Sequence, residues 1–261
     1  MKRRVDQLLV ERGFAESRHK AQALLLAGRV LVQEQKVEKP GQRVPADAEI
    51  RILRQLQFVS RAGAKLQAAL DHFQISVAGR ICADLGASTG GFTDCLLQNG
   101  ASRVHAFDVG QGQLAWKLQS DPRVVVRDRF NVRNISAADL PANVSFVCID
   151  LSFISVTKVL LPLRDALLGK KDDSDAAGPE APVDIIVLVK PQFEVGKGEV
   201  GKGGIVRDPA KRDRVLEEIK EFSHAAAYRI VGGIPSPIRG AEGNQEFLLC
   251  LQLTKGLSST P

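Results

Sequence analysis

The fold this sequence predicts is a doubly wound α/β sheet preceded by a small α+β domain, and three observations predict it. The run Asp84-Leu-Gly-Ala-Ser-Thr-Gly-Gly-Phe-Thr93 joins an apolar strand to a helix through a loop of small residues. Later apolar runs end abruptly in an ionisable residue, at Asp108, Asp150 and Lys190, as parallel strands do at their carboxyl edge. The front of the 261-residue chain differs from the rest: residues 1–65 hold 14 Lys and Arg against 7 Asp and Glu, so the net charge of +6 resides there.

Arg4-Val-Asp-Gln-Leu-Leu-Val-Glu-Arg-Gly13 opens the small domain, residues 1–57, with apolar residues at 5, 8 and 9 and a glycine stop, the marks of a short helix. A second helix follows to Gly28, with Ser17 as its cap, apolar positions at 21, 24 and 25, and Arg18, His19 and Lys20 at its start. Arg29-Val-Leu-Val and Ala48-Glu-Ile-Arg-Ile-Leu53 read as short strands. His19 alone is a surface residue or a phosphate neighbour, not a catalytic group. A basic segment attached to a neutral domain points to a polyanionic partner, because phosphate contacts supply most non-specific affinity for nucleic acid.

Residues 58–65 form a linker to the sheet domain, residues 66–255, and 256–261 form a disordered tail. Ser60 can cap a helix whose apolar face uses 66, 69, 70 and 73. Lys65 lies in the first two turns of that helix, where a cation opposes the helix dipole, so it is either simply exposed or held by another group. Arg80-Ile-Cys-Ala is the first strand of the sheet, closed by Asp84, and Thr93 to Gly100 is the helix behind the small-residue loop. Glycines at 86, 90 and 91 remove side chains that would block a ligand, and the helix N-terminus offers unpaired N–H groups. The spacing is not the Gly-x-Gly-x-x-Gly of dinucleotide sites. The second strand ends at Asp108, before Gly110, and a carboxylate there can bind a ribose diol. Val144 to Ile149 leads to Asp150, and Val183 to Val189 leads to Lys190, where Pro191 stops the strand. Asn244-Gln-Glu246 opens the last strand. The Gly- and Lys-rich segment 196–204 is not a phosphate-binding P-loop, although Lys197, Lys202 and Arg207 are placed to grip RNA phosphates. Residues 169–182 read as a disordered surface insertion.

Composition narrows the function. No apolar run approaches the length that spans a bilayer, and Met1-Lys-Arg-Arg-Val-Asp has no apolar stretch behind it, so a membrane or secreted role is not expected and the cytoplasm is. Cys82, Cys95, Cys148 and Cys250 lie in apolar or helical runs without paired metal-binding spacing, which predicts buried reduced thiols and no metal.

Two resemblances complete the reading. The helix–helix–strand pattern, with Arg4-x-Asp6-x-Leu8-Leu9, Ser17-Arg18-x-Lys20-Ala21 and Ala27-Gly28-Arg29-Val30, resembles the S4 RNA-binding domain over residues 3–55; Gln33-Glu34-Gln35 stands where that domain normally has an Asn-Gly turn. The acid at 84, the small-residue loop and the acid at 108 resemble the S-adenosylmethionine site of Rossmann-like methyltransferases. Lys65, Asp150, Lys190 and Glu246, in that order, resemble the catalytic tetrad of FtsJ-like ribose 2′-O-methyltransferases. Together, over residues 3–253, the chain resembles the TlyA (hemolysin A) family of rRNA (cytidine-2′-O)-methyltransferases. The resemblance implies a Rossmann-like sheet with an antiparallel last strand, which would bring Glu246 to the edge shared by Asp150 and Lys190. It implies S-adenosylmethionine contacts from Asp84, Gly86, Ala87, Ser88, Gly90, Gly91, Phe92, Asp108, Gly110 and Asp128, although the family often has Glu at 128. Ribosomal RNA or a ribosomal subunit would be bound through Arg4, Arg18, Lys20, Arg29 and Arg61. Lys190 is the candidate base, acting in its neutral form, with no metal required. Two rival functions are a non-catalytic RNA-binding or ribosome-assembly factor and a haemolytic membrane-active protein. The nucleotide methylated and the oligomeric state are not readable from the chain.

Overall fold

A computed structural model describes residues 2–53, 57–169, 181–196, 198–240 and 242–254. The chain divides into two compact units, Met1–Leu56 and Gln57–Pro261. The expected tail at 256–261 and nearly all of the expected insertion at 169–182 lie outside the described residues, as does Lys197.

Unit 1 runs β1 (Lys2–Arg4), α1 (Val5–Glu11), α2 (Arg18–Leu26), β2 (Val30–Val32), β3 (Gln35–Val37), β4 (Arg43–Pro45) and β5 (Ile50–Ile52). Val5, Leu8 and Leu9 of α1 pack with Ala21 and Leu25 of α2 and with Val30, Val37, Val44 and Ile50, one small core fed by the helical and strand periods of the sequence. Ser17 Oγ accepts from Lys20 N at 3.2 Å, the expected cap. Strands β3, β2 and β5 form an antiparallel sheet, and β1 pairs with β4; β1, β3 and β4 carry no signal in so short and polar a sequence. The β2–β3 hairpin closes through Gln33 and Glu34, both in the left-handed region (φ 50° and 61°), so two non-glycine residues fill a turn that Asn-Gly ordinarily makes. Arg51 of β5 grips the Glu34 carboxylate through Nε and Nη2 at 3.0 and 2.6 Å and holds that turn.

Unit 2 contains α3 (Ala62–Phe73), β6 (Ile81–Leu85), α4 (Gly91–Gln98), β7 (Arg103–Phe107), α5 (Trp116–Gln119), β8 (Val124–Arg127), β9 (Val144–Ile149), α6 (Thr157–Leu168), β10 (Val183–Val189), α7 (Pro191–Glu194), α8 (Pro209–Ala225), β11 (Arg229–Pro235) and β12 (Phe247–Leu253). Its sheet has the order β11-β12-β10-β9-β6-β7-β8. Strands β10, β9, β6, β7 and β8 are parallel, while β12 runs antiparallel to β10, as expected for the last strand. The strand order reverses between β6 and β9, the crevice where open α/β sheets place their ligands. Alternation sends Leu85, Ile149, Val187 and Leu249 to a core shared with α6 and α8, and Cys82, Cys148, Leu188 and Leu248 to a core shared with α3 and α4. The four cysteines are buried and free, and burial pushes the thiols of Cys82, Cys95 and Cys250 up to about 12.

The sequence boundary at 58–65 differs from the structure. Residues 57–61 already belong to unit 2, and Ala62 to Lys65 are the first turn of α3. Phe58 is buried in the α3–α4 core, and Asp94 of α4 accepts Val59 N at 2.8 Å. Among the described residues no helix is long and apolar enough to cross a membrane, and no cluster of His, Cys, Asp and Glu could hold a metal ion.

Gly91, at the start of α4, sits against the start of α3: a Cβ there would lie 2.2 Å from Ser60 Oγ, 2.9 Å from Ala62 Cβ and 3.0 Å from Gly63 N. Gly91→Ala is therefore expected to cost about 1–3 kcal/mol, seen as a lower Tm. An unchanged Tm would mean that α3 yields freely.

Candidate active site

Three strands deliver ionisable residues to one edge. Asp150 follows β9, Lys190 follows β10, and Glu246 precedes the antiparallel β12, whose pairing of Phe247 with Val189 leaves Glu246 beside Lys190. Their positions share the parity of Cys148, Leu188 and Leu248, so all three face the α3 side of the sheet. The last strand begins at Phe247, three residues later than the sequence suggests. Asn244 is diverted into the preceding loop, where it accepts Val206 N at 2.9 Å and donates to Gly204 O at 2.8 Å.

Two ion pairs organise this edge. Lys65, only 8% exposed, points its Nζ at Glu246 Oε2 at 2.5 Å, and Glu246 is 2% exposed. The cation that opposes the dipole of its own helix is thus held by a carboxylate from the far end of the chain, and it is not an exposed lysine. Lys190 Nζ lies 2.7 Å from Asp150 Oδ1 and donates to Ser152 Oγ at 2.9 Å. Each lysine has its own carboxylate, a pairing that residue order alone does not reveal.

Two clefts meet here. One, of about 370 Å³, is lined by Ser60, Arg61, Lys65, Lys190, Glu246 and the ring of Phe193, with Arg239 and Glu242 at its side. The other, of about 540 Å³, is lined by Gly86, Ser88, Asp108, Asn131, Arg133 and Asp150, with an apolar floor of Phe107, Phe130 and Ile154. Ser152 and Phe153 border both. Phe153 is 90% exposed in the left-handed region (φ 65°), a strained setting for a bulky residue, and its ring leans on Phe193 at 5.0 Å between centroids. Its signal in the sequence is the motif Asp150-Leu-Ser-Phe153, which gives it no role; Ser152, Phe193, Arg239, Glu242 and Gln113 likewise carry none.

The structure divides the expected cofactor contacts. Gly86, Ser88 and Asp108 line the larger cleft, and a Cβ on Gly86 (φ 94°) would lie 2.3 Å from the Asp150 carbonyl oxygen. Asp108 is preset by the backbone, accepting Ser88 N and Gly110 N at 2.7 Å each. The others have different work. Gly90 and Gly91 are small because Leu114, Leu118 and α3 press on them; Ala87 and Phe92 are core; Gly110 is covered by Gln113. Asp128 is exposed and accepts Gly112 N at 2.8 Å, while Asn131 and Arg133 reach the cleft in its place. Asp84 is fully buried and accepts Thr93 Oγ1 at 2.6 Å.

The expected RNA contacts are also placed. Arg4 and Arg18 of unit 1 share the carboxylate of Asp6, Lys20 pairs with Glu16, and the Arg29 guanidinium donates to Leu53 O at 2.9–3.0 Å. In unit 2, Arg61 is exposed at the mouth of the smaller cleft.

Comparison with known proteins agrees with this geometry. The FtsJ-like methyltransferase family matches residues 58–253, and the S4 domain matches residues 3–50. The chain is 45% identical over 251 residues, 95% of its length and 89% of the relative, to the 16S/23S rRNA (cytidine-2′-O)-methyltransferase TlyA of Mycobacterium tuberculosis (strain ATCC 25618 / H37Rv). It is 40% identical to Hemolysin A of Brachyspira hyodysenteriae, covering 94% of this chain and 98% of that one. A solved structure from Streptococcus thermophilus, named as a candidate hemolysin, superimposes with a TM-score of 0.71 at 38% identity, covering 99% of this chain and 92% of that one.

Burial pushes the Asp84 carboxyl from its ordinary 3.8 up to about 7, with the nearby Asp150 charge adding to the rise and the Thr93 hydroxyl opposing it. The folded state therefore binds this proton more tightly than the unfolded chain. Stability is expected to fall as pH rises from about 4 to about 7, by at most about 4 kcal/mol, and to be level in this respect above that window. The difference in Tm between wild type and Asp84→Asn, measured from pH 4 to pH 8, should widen in favour of the variant across that window. A pH-independent difference would refute the assignment.

Proposed function

We propose, from the premise that the chain belongs to the TlyA family, an S4 domain joined to an FtsJ-like methyltransferase domain, that it methylates the ribose 2′-hydroxyl of a cytidine in ribosomal RNA with S-adenosylmethionine as donor. The observation that carries this reading is the Lys190–Asp150 contact, which joins a cleft lined by Lys190, Lys65 and Glu246 and suited to the ribose to a second cleft lined by Asp150 and suited to the donor.

The larger cleft fits the donor. An apolar floor suits an adenine ring, Asp108 suits a ribose diol, and Gly86 leaves room beside the Asp150 backbone. When bound, the sulfonium supplies an electrophilic methyl group and a good leaving group. The protein's part is to place a hydroxyl in line and take its proton. Lys190 Nζ is the acceptor of that proton, and Asp150 at 2.7 Å balances the ammonium that results. Lys65 and Glu246 form a rigid wall of the smaller cleft whose N–H and carboxylate oxygen orient the ribose. Phe153 and Phe193 offer an aromatic face to an unstacked base, the usual device for reading single-stranded RNA. Arg61 and the basic residues of unit 1 supply phosphate contacts. A protein acting on ribosomal RNA works in the cytoplasm, and this reading needs neither a membrane nor a metal.

Transfer of labelled methyl from S-adenosylmethionine to 30S and 50S subunits, followed by nucleoside analysis, tests the reading. Wild type should yield 2′-O-methylcytidine, and Lys190→Ala should lose about 10²–10⁴-fold in kcat while still binding the donor. Donor binding without transfer to either subunit or to naked rRNA would favour a binding factor and overturn the proposal.

A further inference from the structure

Unit 1 contains a carboxylate whose arrangement is out of the ordinary for a domain with so small a core. Asp6, the second residue of α1, is completely buried, yet it lies among charged groups. Arg4, at the end of β1, directs Nε and Nη2 to Asp6 Oδ1 and Oδ2 at 3.0 and 2.9 Å. Arg18, the first residue of α2, donates Nε to the same Oδ2 at 2.9 Å. Gln22 Nε2 reaches Oδ2 at 3.3 Å, and Gln7 N reaches Oδ1 at 3.0 Å. The Arg4 guanidinium, then Arg18 and Gln22, hold this carboxyl well below the usual carboxylate range despite its burial.

The arginines themselves are not buried. Their side chains remain 37% and 52% exposed, so each is anchored at its inner edge and open at its outer one. Because Arg4 Nη2 and Arg18 Nε share one oxygen at 2.9 Å each, the two nitrogens are no further apart than twice that distance. The bonds to Asp6 use Nε and Nη2 of Arg4 and only Nε of Arg18, which leaves the remaining donors of both forks to a ligand. Two guanidinium groups this close repel each other without a carboxylate between them. With it, they form a pair with a net charge of +1 held on one carboxylate, and guanidinium groups are suited to the oxygens of a phosphodiester.

We infer that Asp6 is a positioning residue for RNA binding, setting Arg4 and Arg18 as a two-guanidinium cradle for one phosphate. This rests on the reading of unit 1 as an RNA-binding domain and adds the residue that organises its contact. Rotamer freedom of both arginines is given up on folding rather than on binding, and that is where the gain in affinity lies. The inference has a sign that simple charge counting does not share. Removing the charge of Asp6 makes unit 1 more positive, so long-range electrostatics alone predicts tighter RNA binding, whereas loss of a preset cradle predicts weaker binding.

Equilibrium binding of the full chain to isolated ribosomal subunits, titrated with salt, tests it. Asp6→Asn should raise Kd about tenfold and make the log Kd against log salt slope shallower by about one contact, with S-adenosylmethionine affinity unchanged. In an Arg4→Ala/Arg18→Ala background, Asp6→Asn should have no further effect, since it acts through those side chains. Unchanged or tighter binding by Asp6→Asn in the wild-type background overturns the inference, as does an equal loss in both backgrounds, which would mark a purely structural role. If the double arginine variant itself binds like wild type, the RNA reading of unit 1 fails and this inference with it. If only the double variant weakens, the reading stands and the role of Asp6 falls. Thermal melting accompanies each variant. Should Asp6→Asn unfold unit 1, Asp6→Glu takes its place, keeping the charge but displacing both arginines, and a Kd equal to wild type would then be the refuting result.

Discussion

The contact between Lys65 and Glu246 joins the first helix of unit 2 to the residue that precedes its last strand, 181 residues away in sequence, and is largely withdrawn from water. Neither charge is tolerable there alone, because removing a carboxylate or an ammonium from water costs several kcal/mol unless an opposite charge replaces the solvent. The pair therefore fixes α3 against the carboxyl edge of the sheet. From that placement follow the approach of α3 to Gly91, the seat of Ser60 and Arg61 at the smaller cleft, and the attachment of Val59 to Asp94. The ion pair adds a directional tie to the apolar packing of Leu66, Ala69 and Leu70 that seats α3 on the sheet and α4.

What the sequence discloses and what it hides divides along physical lines. Strand ends are legible: Asp150 and Lys190 terminate apolar runs, and an antiparallel last strand brings Glu246 to them. Pairing between side chains is not legible, because Lys65 could match either of two carboxylates and only the three-dimensional edge assigns Glu246 to it and Asp150 to Lys190. Glycines are ambiguous for a related reason. Gly86 borders the cleft, but Gly90 and Gly91 are small to admit neighbouring helices, and a missing Cβ looks the same in either case. The β2–β3 turn shows only through the S4 resemblance, since Gln33 and Glu34 have no intrinsic preference for positive φ and are held by Arg51, 17 residues beyond Glu34.

Asp6 and Asp84 show how context decides the character of a buried acid. Both are fully buried, and both belong to segments the sequence singles out. Asp6 has two guanidinium partners and is held ionised, while Asp84 has the Thr93 hydroxyl, no cation and the like charge of Asp150 nearby among the described residues, and is driven toward its neutral form. Burial opposes the charge at both sites; the two guanidinium groups overcome it at Asp6, and nothing of like strength does so at Asp84.

The alternation of β12 has a consequence for assembly of the sheet. Both faces of this strand are largely buried and, Gln252 apart, its side chains are apolar on each, so apolar packing distinguishes only weakly between the native register and one displaced by a single residue. Glu246 distinguishes them strongly. Displacement by one position would turn it toward the α6 and α8 side, strand it among hydrocarbon, and leave Lys65 buried without a counter-ion. The residue that completes the reaction edge thus also acts as a proofreader of strand alignment, and a chain that has closed its sheet incorrectly is penalised at the place where its chemistry would be done.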